Sequence, residues 1–388
     1  RKMSEPNRDA LMIGRLAVEL DTPALYIDLD RMDENIRRSA SLADSAGFEL
    51  RPHVKTHKMP PIARLQVTAG AVGVTAAKLG EAEVMAEAGV QDIFIAHLIV
   101  GEPKLRRLRA LARSCRMAVG VDLPEHAEIL SAAFRDEDRP LDVLIEVDTG
   151  QGRQGRPTMR EAVRVAELVH TLPQLHLRGI FTHEGQDYEA SSPEGLAASA
   201  RKAQTFMVET ADAIRKATGQ ACRVSVGSTP SLYRALMNGA DAGYLPGIDE
   251  VRAGTYIFCD AAMAGILGHT DWCAASVLTM VVNRPAPDRW IIDAGAKALS
   301  IDKRPEGTLL HTKGLGIVEG EPGAVITGLS DEHGVIQVEN SSGKRIGDKV
   351  RVIPTHICPT VNLYDAVYAG RDGVVETVWP VAARGRTR

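Results

Sequence analysis

The sequence predicts a two-part α/β protein: a (β/α)8 TIM-like barrel at residues 22–268 and an antiparallel β-domain made from residues 1–21 and 269–388. Three features predict it. Between Pro23 and Val226, apolar runs alternate with helical stretches in at least seven strand–helix units of about 25 to 35 residues, the pattern of parallel strands joined by crossover helices. The runs, such as Asp92-Ile93-Phe94-Ile95-Ala96, are almost continuously apolar, as expected when both faces of a strand are covered. From about Trp272 the rhythm changes to β-rich segments separated by Gly, Pro and Asp turns. So many units suit a closed barrel better than an open sheet. In such a barrel, functional groups sit where the strands end.

Taken in order, Pro23–Asp30 reads as a strand, and Asp30 can cap the amphipathic helix Arg31–Ala46. Phe48 and Leu50 alternate with polar neighbours and lead a strand into Lys55. Helix is expected at Pro60–Ala69, Leu79–Ala88, Lys104–Ser114, His126–Arg135, Arg160–Thr171 and Pro193–Thr218. Strands are expected between them at Ala71–Thr75, Asp92–Ala96, Met117–Val121, Leu144–Val147, Leu177–Thr182 and Arg223–Val226. In the second part, strands are expected at Ser276–Val282, Arg289–Asp293, Gly334–Val338, Lys349–Ile353 and Gly373–Trp379, completed by the N-terminal strand.

Bulk properties exclude several classes. A chain of 388 residues, 44% hydrophobic and 25% charged, is an ordinary globular protein long enough for two cores. Its net charge of −4 comes with no basic or aromatic-studded patch, so no nucleic-acid partner is expected. No apolar stretch approaches the roughly 20 residues that span a bilayer, so no membrane partner is expected either. The start, Arg1–Ala10, is charged, lacks the apolar core of a signal peptide and reads as disordered or tag-like. The five cysteines are scattered and odd in number, which points to a reducing, cytoplasmic setting.

The densest chemistry lies in Arg51-Pro52-His53-Val54-Lys55-Thr56-His57-Lys58. On a continuing strand, residues two apart share a face, so His53, Lys55, His57 and Arg51 would line up together. A lysine among cations has a depressed pKa, which makes Lys55 a candidate Schiff-base former. An exposed basic edge strand would carry the same residues.

Three other strand ends carry polar groups. Gly227, Ser228 and Thr229 precede the helix Ser231–Met237, with Pro230 in its first turn, and offer N–H groups and hydroxyls to a phosphate. The same residues also serve as a simple N-cap. Gly254, Thr255 and Tyr256 could supply the other side of that cup. Arg153 lies in the glycine-rich turn after Leu144–Val147, where it suits an aromatic nitrogen or a carboxylate, and equally a pairing with Glu146 or Asp148. His356 and Cys358, two apart, can both ligate a divalent metal while leaving positions open, although His-x-Cys alone is a weak motif.

Together these segments resemble the D-threonine aldolase and D-serine dehydratase family, pyridoxal-phosphate enzymes of the alanine racemase-like fold. The resemblance runs from about Thr22 to Gly385. It is carried by residues 51–58, 146–153 (Glu-Val-Asp-Thr-Gly-Gln-Gly-Arg), 226–230 (Val-Gly-Ser-Thr-Pro), 292–295 (Ile-Asp-Ala-Gly), 331–334 (Asp-Glu-His-Gly) and 356–360 (His-Ile-Cys-Pro-Thr).

The resemblance implies that Lys55 carries pyridoxal 5′-phosphate as a Schiff base and that Arg153 faces the pyridine nitrogen. Gly227, Ser228, Thr229, Gly254, Thr255 and Tyr256 would surround the phosphate, and His53 and His183 would lie beside the cofactor. His356 and Cys358 would hold a divalent metal (Mn, Mg or Zn), with His57 or metal-held water as the base for cleavage. It further implies a homodimer acting on a small D-3-hydroxy amino acid, with D-threonine split to glycine and acetaldehyde. The alternative outcome is dehydration of D-serine or D-threo-3-hydroxyaspartate to a keto acid and ammonia.

His-x-Cys is familiar from the dehydratases, whereas residues 359–363 and 375–380 resemble the aldolases. A non-catalytic pyridoxal-phosphate carrier would lack the second domain. An alanine-racemase-type enzyme would lack the His356/Cys358 pair.

Overall fold

The computed structural model describes residues 9–239, 243–339 and 343–388. The segment 1–8, most of the expected tag-like start, lies outside the described residues. The chain divides into two compact units: Arg38–Gly254 with Gly385–Arg388, and Thr255–Arg384 with the N-terminal residues up to Arg37.

Strands β1 (Ala24–Asp28), β2 (Glu49–Leu50), β3 (Val74–Ala76), β4 (Asp92–Leu98), β5 (Arg116–Val121) and β6 (Leu141–Glu146) are followed by β7 (Leu175–Phe181), β8 (Arg223–Val226) and β9 (Glu250–Val251). Strands β2 to β9 form one eight-stranded parallel sheet, ordered β2-β9-β8-β7-β6-β5-β4-β3. Its two ends meet: Val72 N–H donates to the Leu50 carbonyl at 2.9 Å, and Thr75 N–H donates to the Pro52 carbonyl at 2.8 Å. A parallel bridge between His53 and Thr75 adds to that seam and closes the TIM-like barrel. Strands β5 and β6 are buried along nearly their whole length, the burial that their unbroken apolar runs require.

The helices between them are amphipathic and carry the expected end signals. Thr158 caps Met159–Thr171 and Ser192 caps Pro193–Thr218, each accepting a hydrogen bond from the third helical residue. The latter helix ends on Gly219 in the left-handed region, at φ 70°.

The segment expected to run as a strand through Lys55 does not do so. Pairing continues to His53, whose N–H donates to the Ala253 carbonyl at 3.0 Å, and the chain then curls into a 3-10 turn, Val54–Thr56. The turn breaks the alternation that would have put four basic residues on one face. Arg51 instead lies buried at the start of the strands, with Nε 2.7 Å from Glu250 and Nη1 2.6 Å from Asp92. Removing one member of such a buried network typically costs about 3–5 kcal/mol.

The second unit carries β10 (Ala275–Ala286), β11 (Arg289–Ile292), β12 (Gly316–Val318), β13 (Ala324–Leu329), β14 (Gly334–Val338), β15 (Lys349–Pro354), β16 (Ala366–Arg371) and β17 (Val374–Pro380). With β1 they form a nine-stranded sheet, ordered β11-β14-β13-β12-β15-β10-β1-β16-β17. All its pairings are antiparallel except β1 with β16. Strand β1, inside the 22–268 range given to the barrel yet also the N-terminal strand expected to complete the β-domain, lies in the β-domain sheet, where Ala24–Ile27 pair with Ala275–Leu278. Its fully buried Leu25 and Ile27 have partners on that sheet. Thr255–Gly268 also falls within this unit rather than the barrel. Three of its strands, β12, β13 and β16, went unseen because they are short or diluted by Gly and Ala.

Candidate active site

Seven barrel strands deliver residues from their C-terminal ends into one cavity of about 210 Å³. After β2 come His53 and Lys55; after β3, Ala77 and Lys78; from β4, Ala96 and His97. Glu146 ends β6 and is followed by Arg153 and Gln154; Phe181 ends β7 and is followed by His183. Gly227 follows β8 and Arg252 follows β9. A larger cavity of about 650 Å³ opens at the opposite strand ends, but its four arginines lie against carboxylates: Arg51 and Arg178 share Asp92 and Glu250, Arg116 pairs with Asp142, and Arg223 with Glu49. We therefore place the chemistry in the smaller one.

Lys55 is half-buried in the turn that His53 opens, and its N–H donates to His53 Nδ1 at 3.4 Å. That bond assigns the His53 proton to Nε2. Burial, then the Lys55 charge, holds the His53 pKa well below the usual imidazole value, so its ring is neutral. His183 is neutral too: burial, then Lys55 and Arg153, pushes it down to about 3. Its Nδ1 lies 2.7 Å from the Gly227 carbonyl oxygen, which can only accept, so the proton is on Nδ1 and Nε2 is a free acceptor.

Arg252 forms part of the wall. Nη1 donates to Ser225 Oγ at 2.5 Å, Nη2 donates to the Thr182 carbonyl at 2.7 Å, and the guanidinium lies 5.2 Å from the centre of the Phe181 ring. Burial lowers its pKa to about 10, which leaves it charged. Arg153 reaches the cavity from the solvent side, 3.8 Å from Glu146. Burial raises the Glu146 pKa, and Gln154 Nε2 donates to its carboxylate at 2.5 Å.

His57 is placed differently from the neighbouring expected site residues His53 and Lys55. It is fully buried, accepts the Met59 N–H on Nδ1 at 3.0 Å and faces Gln66 Oε1 with Nε2 at 3.3 Å. Desolvation drops its pKa to about 4. Both nitrogens are occupied in the protein interior and His57 is not among the residues that line the cavity, so the structure does not bring the expected base together with Lys55 there.

The Gly227-Ser228-Thr229 segment opens the helix Thr229–Asn238 as expected, with a difference in how its hydroxyls are used. Ser228 Oγ accepts from Ser231 N at 3.1 Å and donates to Asp187 Oδ2 at 3.0 Å, so it is committed as a cap. Asp187, buried beneath, also accepts the hydroxyls of Ser231 and Ser199, each at 2.7 Å. Thr229 Oγ1 is buried without a hydrogen-bond partner, an orphan that a phosphate oxygen would satisfy. Gly254 follows β9 in the barrel unit, where a Cβ would meet Thr56 Oγ1 at 2.8 Å. Thr255 and Tyr256 belong to the other unit, buried in the 3-10 turn Thr255–Ile257.

In the second unit, His356 precedes the short helix Ile357–Val361, and its Nδ1 hydrogen-bonds the Asp302 carboxylate. Asp260 caps Ala261–Leu267 and accepts Ile357 N–H at 3.0 Å, pinning the turn. Cys358 Sγ lies 3.6 Å from Thr255 Oγ1. Burial opposes a charge on His356, but Cys358, Asp302 and Asp260 overcome it and raise the pKa to about 10. Those groups make a place for a cation. Among the described residues no three His, Cys, Asp or Glu side chains converge as a closed metal site, so His356 and Cys358 could only hold an ion with open positions. His333, at the start of the β14 hairpin, is exposed.

The sequence did not single out Lys78, His97, Gln154 or Arg252 as site residues. The available signal was position: Lys78, His97 and Arg252 each lie in or just after a barrel strand, and Gln154 follows Arg153 in the glycine-rich turn.

A parallel barrel with a lysine-centred, cation-rich mouth and a separate β-domain defines an alanine racemase-like protein. The chain belongs to this family: residues 27–262 match the alanine racemase N-terminal domain, and residues 274–369 match the serine dehydratase domain. It is 35% identical to D-threonine aldolase of Arthrobacter sp over 97% of this chain and 96% of that one. It is 36% identical to D-threo-3-hydroxyaspartate dehydratase of Delftia sp. (strain HT23) over 92% and 96% respectively. The crystal structure of D-threonine aldolase from Filomicrobium marinum superposes with a TM-score of 0.87 at 33% identity, covering 97% of this chain and 99% of that one.

The residues present fit pyridoxal 5′-phosphate. The cavity offers two lysine amines at strand ends, Lys55 and Lys78, and an excess of cationic over acidic side chains; Thr229, two residues beyond its Gly227 wall, has an orphaned hydroxyl at a helix N-terminus.

Proposed function

We propose that the chain is a pyridoxal-phosphate- and metal-dependent lyase that splits D-3-hydroxy amino acids between Cα and Cβ, releasing glycine and an aldehyde, with D-threonine as the type substrate. The observation that carries this reading is the convergence of Lys55 with His53, Arg153, His183, Gly227 and Arg252 in a single cavity. The cofactor, when bound, supplies an electron sink for the pair left on Cα.

The protein's own groups do the rest. Lys55 is the amine that holds the cofactor, and Arg153 the guanidinium for its ring nitrogen. Gly227, Ser228, Thr229, Gly254, Thr255 and Tyr256 would be the residues for the phosphate, with Thr229 Oγ1 as the uncommitted hydroxyl. His356 and Cys358 would hold a divalent metal, which would supply a Lewis acid for a substrate hydroxyl; the sulfur favours zinc over manganese or magnesium. His57 does not line the cavity, and among the residues that do, Lys55 offers an amine and His183 a free Nε2 acceptor.

The dehydration reading, giving a keto acid and ammonia, is favoured by one feature, the sulfur at position 358, and by the likeness to the Delftia enzyme. The family likeness also supports a cytoplasmic homodimer. No described helix is long and apolar enough to cross a membrane.

The test is incubation with D-threonine, D-serine and D-3-hydroxyaspartate, with pyridoxal phosphate and metal present. Glycine plus aldehyde is the expected product pair. Keto acid plus ammonia selects dehydration, and inertness toward all three sinks the proposal.

A further inference from the structure

Lys78 is the cavity's unassigned cation. It follows β3, half-buried, and Nζ lies 3.1 Å from His97 Nε2. An ammonium has donors and no acceptor, so His97 must accept on Nε2 and carry its own proton on Nδ1. Its low pKa, set by burial and then by Lys78, Lys104 and Arg153, agrees with a neutral ring. The imidazole therefore orients Lys78 without neutralising it.

The other charges in the cavity are already engaged. Arg252 is bonded to Ser225 and Thr182, Arg153 lies beside Glu146, and Lys55 is the amine that holds the cofactor. Among the described residues no carboxylate lies within ion-pair distance of Lys78 Nζ. A half-buried ammonium with only a neutral partner keeps two N–H donors for a ligand, and a charge-assisted bond to an anionic oxygen is the strongest use it can make of them.

We propose that Lys78, oriented by His97, holds an anionic oxygen of the reactants in the cavity. That oxygen is either the ring phenolate of the cofactor or a carboxylate of the amino acid. The proposal rests on the reading of this cavity as the pyridoxal-phosphate site. Lys78 is then a binding residue for the reaction, and His97 its positioning residue.

The test compares wild type, Lys78→Met, Lys78→Arg and His97→Ala, each confirmed folded by circular dichroism. One arm measures the affinity of the cofactor-stripped protein for pyridoxal phosphate. The other measures the affinity of the cofactor-loaded protein for glycine, followed by the change in its visible absorption. Lys78→Met is expected to weaken one of the two by about tenfold or more, Lys78→Arg by less, and His97→Ala by an intermediate amount. A loss confined to the first arm assigns the oxygen to the cofactor; a loss in the second assigns it to the amino acid.

Changes below about threefold in both arms for Lys78→Met overturn the proposal. So does an equal loss in Lys78→Arg, because packing rather than charge would then explain it. If wild type itself takes up no pyridoxal phosphate, the underlying function is what fails.

Discussion

His183 donates its Nδ1 proton to the carbonyl oxygen of Gly227 across 2.7 Å, tying the end of β7 to the loop that follows β8. The bond fixes the tautomer, so that Nε2 is the unprotonated nitrogen. It also holds Gly227 in place at the mouth of the helix whose Thr229 hydroxyl is uncommitted. One imidazole thus joins two strand ends that line the cavity. Replacing it with glutamine should weaken pyridoxal-phosphate affinity by roughly 10-fold, the scale of one lost hydrogen bond near a charged group. Turnover should fall further than affinity. Equilibrium dialysis of the cofactor checks the first statement, and unchanged dialysis would show that the bond to Gly227 is idle.

His57 makes the opposite prediction. Its pKa in the folded chain is about 4, below the ordinary 6.5, because burial disfavours the charged ring. A base with a depressed folded pKa is bound to a proton more readily in the unfolded chain. Its contribution to stability is therefore complete above pH 6.5 and lost as the pH falls toward 4, an effect on the order of 3 kcal/mol. His57→Gln should keep catalysis within a few-fold of wild type and flatten the fall in thermal stability between pH 7 and 4. A properly folded His57→Gln protein with activity down more than roughly 100-fold would return His57 to the catalytic machinery.

Metal removal should separate the two ligand systems. Cofactor and metal are assigned to different residues, Lys55 and its neighbours for one and His356 with Cys358 for the other. Exhaustive chelation should abolish turnover and leave the visible spectrum of the bound cofactor in place. His356→Ala and Cys358→Ala should each lower metal content, with affinity down by about 100-fold, as loss of one protein ligand in an open site implies. Metal analysis of the purified variants reads this directly, and full metal occupancy in both would remove the assignment.

The fold was legible because it is written in periodicity. Near-continuous apolar runs such as Leu141–Glu146 can only be covered on both faces, and their spacing leaves room for one crossover helix each. The residues of the candidate cavity were legible where chemistry and position coincide, at Lys55, His183 and Gly227. It was not legible where local geometry overrides alternation. At His53 the side chain accepts the Lys55 N–H and the chain turns, so Arg51 and His57 leave the face they were expected to share with Lys55. Lys78, His97 and Arg252 escaped notice because each lies singly in its segment, and only closure of the barrel brings them together. The place of β1 is set by a partner about 250 residues away, a pairing that no local pattern encodes.

The account stands on Lys55 as the amine that joins the cofactor, and Lys55→Ala tests it most directly. The wild-type protein loaded with pyridoxal phosphate is predicted to absorb near the edge of the visible range and to retain the cofactor through reduction with borohydride. Lys55→Ala, folded and supplied with the same cofactor, is predicted to show neither property and no turnover. A Lys55→Ala protein that still binds pyridoxal phosphate covalently and turns over D-3-hydroxy amino acids would contradict the account.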